Sequence, residues 1–200
     1  MVMISISCNG QNSAGELALK DCINEKVNHN IQESTGKPEF DFFEFSLKAE
    51  KILLANGLID NNGKEEYLEF LKGIDTLSSK NGIKAYNQLQ ELTDQYGFSY
   101  NLFIISDGVL NQCPYKVYKS EQLPENHLIY RQGKILKQLM DNGYYQEDLI
   151  EELFEEIDQN EFNNILYRSP VVYLILINMD FQYDTRLKRR IDPSKIWRNE

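Results

Sequence analysis

Three cysteines and two histidines are the side chains in this 200-residue chain best suited to nucleophilic or metal chemistry. A zinc site built on sulfur and imidazole needs closely spaced pairs such as Cys-x-x-Cys or His-x-x-x-His. Cys8, Cys22, Cys113, His29 and His127 contain no such pair. His29 follows Cys22 on roughly the same side of a helix, which permits proximity but does not complete a ligand set. A nucleophile–base dyad can be drawn between Cys113 and His127. Nothing in the sequence places a third group to orient that imidazole. Ser106-Asp107-Gly108 lacks the flanking glycines of a nucleophile elbow. The segment Asp60-Asn61-Asn62-Gly63-Lys64 lies between two helices, as a calcium loop would. That loop needs glycine at its sixth position and a bidentate glutamate at its twelfth, whereas Gly63 is fourth from Asp60, so the segment reads as a polar turn. No phosphate-binding glycine motif occurs. These residues assign no catalytic, cofactor-binding or metal site, and no cofactor is expected.

Charge narrows the partners. The formal net charge is −10, so the chain as a whole repels nucleic acid and anionic membrane surfaces. Glu147 to Asp158 is dense in carboxylates with no basic residue, while Arg186, Lys188, Arg189, Arg190, Lys195 and Arg198 crowd the C-terminal end. Both blocks read as solvated helix faces, able to pair with each other within the molecule or across an oligomer. The longest apolar run, Val171 to Ile177, stops at Asn178, far short of the ~20 residues a spanning helix needs. No transmembrane helix is expected.

The N-terminus reads Met1-Val2-Met3-Ile4-Ser5-Ile6-Ser7-Cys8-Asn9-Gly10-Gln11, a short apolar stretch ending in small residues and a cysteine, then polar residues. This resembles the lipobox of bacterial lipoproteins, in which the cysteine becomes the acylated first residue of the mature chain. Basic residues are missing ahead of the apolar stretch, and Ser5 stands where an aliphatic residue is usual. The resemblance covers these residues alone. It implies lipidation at Cys8, a periplasm-facing envelope location and, because Asn9 follows the cysteine, the outer membrane. The alternative is the frayed N-terminus of a cytoplasmic protein. With Cys8 carrying lipid, Cys22 and Cys113 remain as an even pair able to form one disulfide in an oxidising compartment; two buried thiols are the alternative.

Helical spacing of apolar residues dominates the rest. Leu19, Ile23, Val27 and Ile31 make one stripe over about 14–33, ended by Gly36 and Pro38. Further helices are expected over about 41–56, 64–74, 83–96, 127–142 and 146–158, with a short one over 161–167. The second, crowded with Phe42, Phe43 and Phe45, reads as a central helix. Phe98 to Asn111 reads as helix, with a strand at 98–105 as the alternative, and 113–126, holding Pro114 and Pro124, reads as the longest loop. Ser169-Pro170 looks like an N-cap and first residue opening a last helix whose buried part is 171–181, although β-branched content leaves a strand open at 171–177. The fold class is therefore mainly α: an antiparallel bundle or short array of helical hairpins, with about seven to nine helices. Residues 1–13 form a signal remnant or tether and 14–200 one helical domain.

Lys51 to Leu58 and Lys137 to Tyr144 share a pattern, a helix ending in Asn-Gly before a second helix. A repeat of hairpins would offer a concave protein-binding surface; two ordinary helix stops are the plainer explanation. The leading functional expectation is a non-enzymatic, lipid-anchored interaction or scaffold protein of the bacterial envelope, whose partner is another protein. The alternatives are an acidic immunity- or inhibitor-type protein that binds a basic partner, and a hydrolase with an unrecognised site.

Overall fold

A computed structural model describes residues 14–35, 40–74, 80–96, 109–143 and 146–183. Nine helices and no strand occur among these residues: α1 (Ala14–Thr35), α2 (Phe42–Ala55), α3 (Lys64–Gly73), α4 (Lys80–Gln95), α5 (Val109–Ser120), α6 (Leu128–Asp141), α7 (Glu147–Glu156), α8 (Gln159–Phe162) and α9 (Ile165–Tyr183). The chain is thus a helical bundle. One row runs α1, α5, α6, α7; α2 and α4 pack on α9, and α3 bridges α7 and α9.

Helix starts follow from side chains that satisfy otherwise orphaned backbone N–H groups. Asp41 caps α2 by accepting from the N–H groups of Phe43 and Glu44. The Phe42 N–H is taken by Asn24 of α1, and Asn28 exchanges two hydrogen bonds with the backbone of Phe40. Two turns of α1 therefore fix where α2 begins. The stop of α2 is equally local. Gly57 adopts φ +63°, its N–H donates to Leu54 O, and the Leu58 N–H donates to Leu53 O, the Schellman pattern that a glycine followed by an apolar residue favours. Gly143 ends α6 with φ +89°, and Asn142, like Asn56, donates its side-chain amide to the carbonyl four residues back. The likeness of the two segments is one of chain stops. Packing differs, since α6 lies along α7 whereas α3 has α7 and α9 as neighbours.

Two expectations need correction. The segment 113–126 is not a long loop, because α5 runs through Pro114 to Ser120. Proline deletes one helical hydrogen bond, a cost of about 3 kcal/mol when nothing offsets it. Here the ring is fully packed against α6, and a Cβ added at Gly133 would lie 2.4 Å from Pro114 Cβ. Second, Ser169-Pro170 does not open the last helix. Asn164 does, accepting from the Leu166 N–H, and Pro170 sits inside α9. The Leu166 carbonyl that loses its partner to Pro170 receives the Ser169 hydroxyl instead, at 3.4 Å. The helix enclosed on all sides is α9, on which α2 packs. Every residue from Leu166 to Met179 is buried, as a helix enclosed on all sides must be, whereas Leu47 of α2 is exposed. The segment 171–177 is helix. Residues 98–105 lie outside the described residues.

Two charges are buried between these layers. Glu50 of α2 and Arg168 of α9 are 2 % and 5 % exposed. The Arg168 Nε and Nη2 both donate to the Glu50 carboxylate, and Nη1 donates to the carbonyls of Phe162 and Asn163 at 2.8 and 3.0 Å. Tyr67 of α3 adds a hydroxyl donated to Glu50 Oε1 at 2.6 Å, with its ring edge-on to Phe162. One ion pair therefore ties α2, α3, α8 and α9 together. Its energetic role is asymmetric: a buried pair contributes little relative to a well-packed apolar replacement, while removing one partner strands the other.

Arg168→Met is accordingly expected to lower the unfolding free energy by about 3–5 kcal/mol, and Glu50→Leu/Arg168→Met to recover a large part of that loss. Urea unfolding followed by circular dichroism measures both, and equal losses in the single and double variants would contradict this account. Burial first, and the neighbouring Glu50 second, push the Tyr67 hydroxyl well above the ordinary tyrosine range; burial, then Glu16, do the same to Tyr167. The folded state thus keeps these protons when the unfolded state has released them. Their contribution to stability is complete below the unfolded value of about pH 10 and is lost as pH rises beyond it. The melting temperature should fall above about pH 10, and Tyr67→Phe should flatten that fall while lowering stability at neutral pH.

Candidate functional site

Cys22 and Cys113 form the staple between α1 and α5. Their sulfurs are bonded, their Cα atoms are 5.7 Å apart, and both side chains are buried. Cys22 is placed by the same stripe as Leu19 and Ile23. His29 is not: its side chain is 68 % exposed and pairs with Glu33 at 3.4 Å. Each step from Leu19 to Ile23, Val27 and Ile31 advances about 40° around the helix, since four residues overshoot one 3.6-residue turn. By the end of α1 the buried face has rotated away from His29.

The Cys113–His127 dyad is not formed, because Cys113 is bonded to Cys22 and His127 serves as the N-cap of α6, its Nδ1 accepting from the Ile129 N–H at 3.3 Å. The Asp60–Lys64 turn is closed on itself. Asn61 Oδ1 accepts from the Gly63 N–H at 2.6 Å, and the Lys64 ammonium donates to the carbonyls of Phe154 and Ile157 at the end of α7. Among the described residues, no group of three or more His, Cys, Asp or Glu side chains is gathered as a metal site. Cys8, Ser106-Asp107-Gly108 and the basic residues from 186 onward lie outside the described residues.

The acidic run is partly consumed inside the molecule. Lys72 of α3 pairs with Glu151 and, at 3.8 Å, with Glu147; Glu151, then Glu147, hold its ammonium above the usual lysine range. Arg131 of α6 pairs with Glu156. Asp148, Glu152 and Glu155 remain on the exposed side of α7. Three carboxylates of the expected solvated face, Glu147, Glu151 and Glu156, thus fasten α7 to α3 and α6.

An open groove of about 390 Å³ lies between α5 and α6, lined by Pro114, Tyr115, Tyr130, Gly133, Lys134 and Lys137 among others. Aromatic rings form one wall. Tyr118 and Tyr130 stack with centroids 4.3 Å apart, Tyr115 lies 6.3 Å from Tyr118, and the Lys119 ammonium sits over both Tyr115 and Tyr118 at 5.5 and 5.2 Å. Tyr115 is 56 % exposed, the most exposed large apolar side chain described. Burial, with Glu125 nearby, raises the Tyr118 hydroxyl above its ordinary range, so this ring is a neutral donor at physiological pH. The rim is basic. Lys134 and Lys137 line it from α6, Lys119 of α5 reaches it through Tyr115, Lys116 follows Tyr115 in the chain, and Lys137 alone of these pairs within its helix, with Asp141.

Sequence reasoning missed this groove. Its signal was present as Tyr115-Lys116-Val117-Tyr118-Lys119, in which the tyrosines and lysines each recur at i, i+3 and so share faces of a helix. Reading 113–126 as a loop removed the periodicity that made the pattern meaningful. The wall exists because Gly133 lets α6 approach Pro114, and because the disulfide fixes α5 from behind.

Replacing either cysteine, or reducing the bond, should lower stability by about 2–4 kcal/mol through the long loop it closes, seen as a fall in the urea midpoint. Gly133→Ala should force α5 and α6 apart and lower stability by about 1–3 kcal/mol, seen in the same measurement; an unchanged midpoint would mean the two helices are not seated as described. Compared with protein-family models, with curated proteins and with solved structures, the chain matches none.

Proposed function

We propose that this is a non-enzymatic binding protein, held at the bacterial envelope by a lipid on Cys8, that presents the α5–α6 groove to a partner protein. The observation that carries the reading is the groove: exposed Tyr115 beside stacked Tyr118 and Tyr130, edged by lysines, on a chain that is otherwise acidic. Tyrosine supplies a large contact area at small entropic cost, which is why it is enriched where proteins bind one another. Three further features agree with it. The segment ending at Ser7-Cys8-Asn9 resembles a lipobox, the bonded Cys22 and Cys113 suit an oxidising compartment, and no helix of the described residues is long and apolar enough to cross a membrane. Attachment would then rest on the lipid.

A single strain set tests both halves. Cys8→Ser should shift the full-length protein from the detergent phase to the aqueous phase on Triton X-114 partitioning, and globomycin should cause an unprocessed form to accumulate. A photo-crosslinking amino acid at Tyr115 should give one discrete adduct in living cells. That adduct should be lost on introducing Lys116→Glu/Lys134→Glu and absent when the crosslinker is moved to Ile83, an exposed site on α4. Unchanged partitioning would remove the anchor. Adducts of equal yield at Tyr115 and Ile83 would remove the groove as the binding site.

A further inference from the structure

The charge of the groove is out of keeping with the rest of the chain, and this says what should enter it. On α5, Lys116 and Lys119 stand with no acidic residue; on α6, Arg131, Lys134 and Lys137 stand against Asp141 alone. Neighbouring α7 has only carboxylates for charged groups, and α1 carries more acidic than basic residues. Lys116 and Lys134 are exposed and make no ion pair with any described residue. Clefts lined by one sign of charge concentrate ligands of the opposite sign, so the rim selects an anionic ligand. The floor adds a second requirement. Buried Pro114 and Gly133 close it and the rings of Tyr115 and Tyr130 present apolar surface, while of the two amides in the lining Asn111 already donates to Met140 Sδ and Gln112 accepts from Lys26, so few polar groups are left to pair with a sugar's hydroxyls. The lining from Tyr130 to Lys137 rises by about 10 Å along α6, a length that an extended segment of about three residues fills.

We propose, building on the binding-protein reading above, that the α5–α6 groove receives an acidic polypeptide segment bearing one aromatic or large aliphatic side chain. The apolar side chain stacks on Tyr115 and Tyr130, and flanking carboxylates meet Lys116 and Lys119 on one side and Lys134 and Lys137 on the other. A second copy of this chain fits poorly. The exposed side of its acidic helix α7 offers Asp148, Glu152 and Glu155 without an exposed apolar anchor, since Ile150, Leu153 and Phe154 are buried and Leu149 is packed on the core. Extended nucleic acid carries the right charge, but it would have to run beyond the short groove toward the carboxylates of α7, Asp141 and Glu125, which repel it.

The test is fluorescence anisotropy of the soluble Cys8→Ser protein with four labelled probes: an Asp/Glu-rich pentapeptide with a central Trp, the same peptide with Gly for Trp, its Lys-rich counterpart, and single-stranded DNA of matching charge. The Trp-containing acidic peptide should bind tightest. Its dissociation constant should rise at least tenfold in Lys116→Glu/Lys134→Glu and several-fold in Tyr115→Ala, and binding should weaken as salt is raised. All three positions are solvent-exposed, and circular dichroism checks that the variants remain folded. Equal binding of the Lys-rich peptide, indifference to the variants, tighter binding of the DNA, or salt-sensitive self-association abolished by the same lysine changes would each overturn the proposal. If Tyr115 still captures a partner in cells while the acidic peptide fails, the partner's chemistry is wrong and the binding reading stands; if both fail, that reading falls as well.

Discussion

Burying the Glu50 carboxylate against the Arg168 guanidinium constrains more of this molecule than any other single interaction, because neither ion can be left inside without the other. Arg168 directs its planar fork to a carboxylate and to two carbonyls at once, so α9 has little freedom to slide along α2 or to rotate. Tyr67 brings α3 to the same point, and Phe162 lies beneath the guanidinium at 5.9 Å. Apolar packing around α9 is tolerant of small shifts, since one aliphatic contact resembles another. A fully hydrogen-bonded ion pair is not tolerant. It sets the register of the surrounding helices, which α9, apolar on every side, cannot set through hydrophobicity.

The second half of the bundle is registered differently. Lys72 and Lys64 of α3 grip α7 at its start and its end, Arg131 joins α6 to α7, and Gln132 donates to the Tyr167 carbonyl at 2.7 Å, linking α6 to the start of α9. The Cys22–Cys113 bond then attaches α5 to α1. Through these contacts α5 and α6 are held from behind, and their outer faces are left available. That division explains why the tyrosines and lysines of the groove sit on rigid helices and not on a loop. It also shows how an acidic protein can display a locally basic surface, since three carboxylates of the acidic helix are engaged by Lys72 and Arg131 on its other sides.

Much of the architecture was legible in the residues. Where a helix start or stop rests on neighbours within a turn, the reading and the structure agree: Asp41 ahead of α2, Asn56-Gly57-Leu58 at its end, and Asn142-Gly143 after α6. Prolines misled. Pro114 and Pro170 both lie inside helices, and in each case a feature distant from proline itself makes this tolerable: Gly133 on another helix, and the Ser169 hydroxyl turned back to Leu166. The candidate site suffered from the same error, because the tyrosine–lysine pattern of α5 has meaning only once 113–120 is helical.

The linear order of residues was enough to give a mainly α-helical chain, most of its helix boundaries and the stripe of α1, because each rests on interactions across a few residues or on composition. Which charges are solvated and which are buried, which helix lies at the centre, and whether two lysine-bearing helices face the same groove are settled by three-dimensional neighbours far apart along the chain. Glu50 and Arg168 look like ordinary surface residues in sequence. Their meeting depends on the packing of every helix between them, since electrostatic energy is a function of separation in space.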